Sequence, residues 1–74
     1  MAFDYNKLRG RIREMFKTES AFAKEVGISP AMMSLRMTGK VMFSQEEIAK
    51  CCDLLQIGAG DIKDFFFTVR VKET

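Results

Sequence analysis

The sequence predicts a small all-α fold of four to five helices that ends in a short β-strand. Apolar residues recur at helical spacing in separate runs. A Ser, Thr or Asp precedes these runs and a glycine follows several of them, which are the usual start and stop signals of helices. Residues 66–72 change to the alternating pattern of a strand. At 74 residues, 47% of them hydrophobic, the chain is expected to form a single domain over residues 1–74.

The first two helices are defined by their caps and apolar faces. Asp4 can cap the free N–H groups of the first helix, and Thr18 can cap those of the second. The expected buried face of the first helix consists of Tyr5, Leu8, Ile12, Met15 and Phe16. The expected buried face of the second consists of Phe22, Ala23 and Val26.

A tight turn joins the second helix to a third. Gly27 follows Val26 where a positive φ is usually needed. Ser29 can cap the third helix, Pro30 suits its first position, and Gly39 ends it. Two short helices joined in this way over residues 18–39 have the spacing of a helix-turn-helix, whose second helix is shaped to enter a DNA groove.

The second half of the chain predicts a fourth helix, one further helical turn and the strand. Ser44 and Glu47 form the pattern of a capping box at the start of the fourth helix. Asp61 to about Phe65 can form the further turn. A single strand cannot stand alone, so residues 66–72 must pair within the chain or with a second chain. We expect pairing across the two-fold axis of a homodimer. The expected interface residues are Phe66, Phe67, Val69 and Val71.

Charge and residue types narrow the possible functions. The net charge of +2 is divided into +4 for residues 1–40 and −2 for residues 41–74. The basic half is either an ordinary solvated surface or a surface that faces phosphate. The chain has no His, no glycine-rich phosphate loop and no CxxC, because Cys51 and Cys52 are adjacent. We therefore expect no enzyme, metal site, other cofactor or small-molecule substrate.

Location is also constrained. No apolar run approaches the roughly 20 residues that span a bilayer, and no signal-peptide pattern opens the chain. The expected location is the cytoplasm, without membrane association.

Seven residues resemble the signature positions of the phage-repressor and Cro-type helix-turn-helix family, which has the lambda-repressor-like fold. They are Ala23, Gly27, Ile28, Ser29, Met33, Ser34 and Gly39. The phrases FDYNKLRGRIREMF and SLRMTGKVMFSQEEI resemble more narrowly small regulators from prophages of Gram-positive bacteria. That group includes Cro-like proteins and also modulators of repression, which act by binding the phage repressor itself.

The resemblance implies DNA contacts through the third helix and its flanks. The implied contacts are Thr18, Ser29, Ala31, Met32, Ser34, Leu35, Arg36, Thr38 and Lys40. Three positions depart from the family pattern. Glu19 stands where a phosphate-contacting Gln is common, Met37 replaces a Glu that pairs with an Arg of the first helix, and Arg36 replaces a buried aliphatic residue.

Two functions follow from this resemblance. The favoured interpretation is a Cro-like repressor that binds operator DNA as a dimer through the third helix. The chemistry of Ala31, Met32 and Leu35 opposes it, because base reading normally uses Arg, Lys, Asn or Gln, although apolar groups can contact thymine methyls. The alternative is an antirepressor or modulator of repression that binds a phage repressor protein, with Met32 and Leu35 as its anchors. Among the other methionines, Met15, Met33 and Met37 are expected in the core, and Met42 at the surface.

Overall fold

The protein is mostly helical. A computed structural model describes residues 3–69, in which five α-helices follow one another along the chain. They are α1 (Asn6–Phe16), α2 (Glu19–Val26), α3 (Pro30–Met37), α4 (Gln45–Leu55) and α5 (Ile62–Phe66). A 3-10 turn at Ala59–Asp61 precedes α5. The expected small helical fold is confirmed for the described residues.

Local capping interactions start three of the helices. The Thr18 hydroxyl accepts a hydrogen bond from the Ala21 N–H at the start of α2, and Ser29 does the same for Met32 at the start of α3. Ser44 begins α4 with the complete reciprocal capping box. Each cap satisfies a backbone donor that the helix itself leaves free.

One hydrophobic core lies between the helices. Its fully buried large side chains are Leu8, Ile12, Phe22, Met33, Cys51, Leu55 and Phe66. The expectation that Met15 belongs to this core is wrong, since 40% of it is exposed. Burial on α1 follows Leu8, Ile12 and then the partly buried Phe16, whose ring packs 5.2 Å from that of Phe22. Met15 lies one position off this row and therefore points away from the core.

Over residues 66–69, the expected C-terminal strand is not formed as predicted. Phe66 is the last residue of α5, and Val69 makes only an isolated antiparallel bridge to Phe3 of the same chain. The Asp4 N–H donates to the Thr68 carbonyl beside this bridge, over 2.7 Å. A helix allows the adjacent Phe65 and Phe66 to be buried together, whereas a strand would place them on opposite faces. Residues 70–72 of the expected strand lie outside the described residues.

A glycine in the middle of α1 provides a test of helix stability. Gly10 is exposed, and a Cβ added to it would meet nothing within 4 Å. Because glycine costs roughly 0.5–1 kcal/mol relative to alanine inside a helix, we expect Gly10→Ala to raise the free energy of unfolding by about that amount in urea denaturation. The matched control is Gly27→Ala, which should lower it because Gly27 has φ +96°. A Gly10→Ala protein less stable than the parent would contradict the expectation.

Candidate functional site

Helix α3 is held against the rest of the protein by its buried side. It packs mainly on α2, and its Met33 and Met37 lie in the core. These two residues are four positions apart, so they stack on one face of the helix. The remaining residues of α3 are not part of the core.

The outward face of α3 consists of Ala31, Met32, Ser34 and Leu35. Ala31 and Ser34 are exposed and Leu35 is half-buried. Met32 is 40% exposed, in contrast to the fully buried Met33 beside it. The centre of this outward face is apolar and carries no charged side chain. It lacks the paired donors and acceptors that read base edges.

Arg36 does not belong to this open face, because Glu47 holds it. Its Nε and Nη2 atoms donate to the two carboxylate oxygens of Glu47 over 2.8 and 3.0 Å. The two side chains are only 11% and 16% exposed. Such a bidentate pair has both charge-assisted hydrogen bonds and fixed geometry. The expectation that Arg36 is free to contact a phosphate is therefore wrong.

The Arg36–Glu47 pair predicts a pH-dependent stability. Hydrogen bonds from Arg36 lower the pKa of the Glu47 carboxyl, although partial burial acts in the opposite direction. A carboxylate with a lowered pKa stabilises the fold fully above its unfolded-state pKa, about 4.3, and this stabilisation is lost as the pH falls through the folded-state pKa. We expect the stability difference between the parent and Glu47→Gln to shrink below about pH 4.3, measured by urea denaturation across pH. Parallel profiles for the two proteins would contradict this.

Three of the expected phosphate-contacting hydroxyls are used inside the chain. Thr18 and Ser29 cap helices. The Thr38 hydroxyl donates to the carbonyls of Ser34 and Leu35 one turn back, over 2.9 and 3.2 Å. Lys40 is exposed. Of these groups, Ser29 and Thr38 lie at the two ends of α3, so that polar side chains flank its outward face.

Arg9 connects α1 to both α2 and α3, two helices that together form the α2–α3 unit. Its Nη2 donates to the Met37 carbonyl at the end of α3 over 2.8 Å, and its Nε lies 3.9 Å from the Glu19 carboxylate in the first turn of α2. Neither this role of Arg9 nor the pairing of Glu47 with Arg36 was predicted from the sequence. The signal for the Arg36–Glu47 pair was Arg36 itself, which stands where the family pattern has an aliphatic residue.

The residues of the expected dimer interface lie in different environments. Phe66 is 1% exposed and belongs to the core of its own chain, so its assignment to an interface is wrong. Phe67 and Val69 are exposed, but Val69 pairs with Phe3 of the same chain. Val71 lies outside the described residues. The described residues therefore give a strand-paired dimer no support.

The remaining chemistry of the chain lies away from α3. Burial raises the pKa of the Cys51 thiol to about 12 and also raises that of Cys52. Both thiols are therefore protonated and weakly reactive near neutral pH. Residues 3–69 contain no group of His, Cys, Asp and Glu side chains placed to hold a metal ion. Over the same stretch, no helix has the length and apolar character needed to cross a membrane.

The fold is similar to that of a known phage regulator. The solution structure of the modulator of repression (MOR) of the temperate bacteriophage TP901-1 from Lactococcus lactis matches this chain with a TM-score of 0.81 and 35% sequence identity, over 97% of each chain. The protein is thus a small helical phage regulator. It belongs to the family described as "Protein of unknown function (DUF739)", which matches residues 1–69. No curated protein matches it.

The favoured sequence interpretation, a Cro-like repressor that binds operator DNA, is wrong. A protein that matches 97% of this chain is a modulator of repression. The geometry of α3 agrees with this correction, because its outward face lacks base-reading side chains and Arg36 is held by Glu47.

Proposed function

We propose that this protein is a modulator of repression that binds a phage repressor protein through the outward face of α3. The observation that carries the proposal is the match over 97% of the chain to a phage modulator of repression. The proposal agrees with the alternative interpretation of the sequence, in which Met32 and Leu35 are anchors for a protein partner.

The outward face has the features of a protein-binding surface. Met32 presents a flexible apolar side chain that adapts to the shape of a partner. Leu35 extends the apolar surface, and hydroxyl groups lie at both ends of α3, on Ser29 and Thr38. Interfaces commonly combine such an apolar centre with a polar rim that excludes water from it.

We propose further that α2 and α3 form a helix-turn-helix unit that serves protein binding. Its second helix is rigidly positioned, since Arg9 holds the carbonyl at its end and Glu47 holds Arg36. A surface fixed before binding loses little conformational entropy when the partner docks. In this proposal the protein acts as a single domain in the cytoplasm, without catalysis and without a cofactor.

The direct test mixes the purified protein with the repressor encoded by the same phage. Isothermal titration calorimetry should detect a complex at micromolar concentrations. Its affinity should depend only mildly on salt, because the outward face carries no charged side chain. Absence of a complex under these conditions would overturn the proposed function. Adding the repressor's operator DNA then shows whether the protein competes with it.

A further inference from the structure

Two carboxylates of this chain are paired with arginines, one arginine within α3 and one next to the α2–α3 unit. Glu47 accepts two hydrogen bonds from Arg36, which is the only cationic residue of α3. To reach a phosphate, Arg36 would have to break both bonds and leave a largely buried carboxylate without its partner. A DNA-binding helix-turn-helix needs such cations for its affinity for DNA, because contacts to phosphate supply most of the free energy of non-specific binding.

The second carboxylate lies at the start of α2. The first turn of a helix carries free N–H groups and partial positive charge, and it therefore attracts anions. Glu19 is in this turn, and its carboxylate lies 3.9 Å from Arg9. It adds a negative charge where a DNA phosphate would approach an α2–α3 unit docked in the usual way. It also lies against Arg9, which would otherwise be attractive to that phosphate.

We propose that Glu19 and Glu47 are specificity-determining residues that exclude nucleic acid from the α2–α3 unit and so reserve it for a protein partner. Each carboxylate takes the place of a phosphate next to an arginine of the same chain. The inference rests on the proposed function and explains how a helix-turn-helix unit distinguishes a repressor protein from DNA. Discrimination of this kind uses a repulsive element as well as attractive ones.

The test removes the two negative charges while keeping the shapes of the side chains. Glu47→Gln retains a residue that can complete the capping box with Ser44, and Glu19→Gln changes a side chain that is 41% exposed. The control Asp53→Asn removes one negative charge at an exposed position of α4, as each single variant does, and the control Glu46→Gln/Asp53→Asn removes two, as the double variant does. Fluorescence anisotropy with a labelled duplex DNA of mixed sequence measures binding at several salt concentrations.

We expect the double variant Glu19→Gln/Glu47→Gln to bind DNA with a Kd of about 10⁻⁴–10⁻⁶ M, the range of non-specific binding. The parent and the charge-matched control Glu46→Gln/Asp53→Asn should bind more weakly than this range. The slope of log K against log salt should steepen by about one when Arg36 is released. A double variant that binds no more tightly than Glu46→Gln/Asp53→Asn would overturn the inference, and so would a parent that binds as tightly as the double variant.

Repressor binding, measured in parallel, separates this inference from the proposed function. Failure of the parent to bind the repressor would overturn the proposed function, whatever the DNA result. A parent that binds the repressor and a double variant that gains no DNA affinity would overturn the inference alone. If Glu47→Gln does not fold, as judged by circular dichroism, the single variant Glu19→Gln decides the question against Asp53→Asn by the same criterion of DNA affinity.

Discussion

Replacing Phe66 with alanine is expected to lower the free energy of unfolding by about 3–5 kcal/mol, because it empties a large volume in the core. The Phe66 ring is 1% exposed and meets the ring of Phe43 edge-on, with 5.4 Å between the centroids. Small domains have a total stability of about 5–15 kcal/mol. The variant should therefore be close to unfolding in water, which urea denaturation followed by circular dichroism would show.

The neighbouring Phe67 provides the control for this prediction. It is 41% exposed, and its ring makes an edge contact with Phe3 at a centroid distance of 5.6 Å. Phe67→Ala should therefore cost only about 1 kcal/mol. If both residues belonged to a dimer interface, as the sequence suggested, both variants would change the molecular mass in solution. A Phe66→Ala protein as stable as Phe67→Ala would contradict the placement of Phe66 in the core.

The helix boundaries could be predicted because their signals are local. Thr18, Ser29 and Ser44 each cap a helix through a backbone N–H three residues ahead. Gly27 ends α2 with the left-handed conformation that its position suggested. Such interactions involve residues a few positions apart, so the sequence pattern contains nearly all the information that they need.

Contacts between distant residues were not accessible in the same way. Arg36 and Glu47 are 11 positions apart, and Arg9 and Met37 are 28 apart. Their pairing depends on how the helices cross, which no short pattern encodes. The prediction of a strand at the end of the chain was wrong for another reason. A short apolar run such as residues 65–67 fits a helix or a strand, and the burial of Phe66 against Phe43 decides between them.

The function was misjudged because one backbone arrangement serves two kinds of partner. The spacing of α2 and α3 suggests DNA binding, but function depends on the side chains that the arrangement presents. Ala31, Met32 and Leu35 already pointed to a protein partner. The resemblance to DNA-binding relatives outweighed that chemistry. Only the structure shows that Arg36 is hydrogen-bonded to Glu47 and so is not available to a phosphate.

Met32→Ala is expected to weaken repressor binding by about 1–3 kcal/mol, which corresponds to a rise in Kd of roughly five- to 150-fold. Met32 is an exposed apolar residue of the outward face, where a partner would remove it from water. Since 40% of it is exposed in the free protein, its truncation should change the free energy of unfolding little. Leu35→Ala should weaken binding in the same direction. Calorimetry with the repressor and urea denaturation of each variant measure the two effects separately.

Met15 is the matched control for the last prediction, because it is also 40% exposed but lies on α1. If α3 is the binding face, Met15→Ala should bind the repressor as tightly as the parent. Equal losses for Met15→Ala and Met32→Ala would show that general surface hydrophobicity, rather than the outward face of α3, drives the association. Unchanged binding by both Met32→Ala and Leu35→Ala would show that the repressor binds another surface of the protein. A loss confined to α3, with little dependence on salt, is the result that an apolar anchor requires.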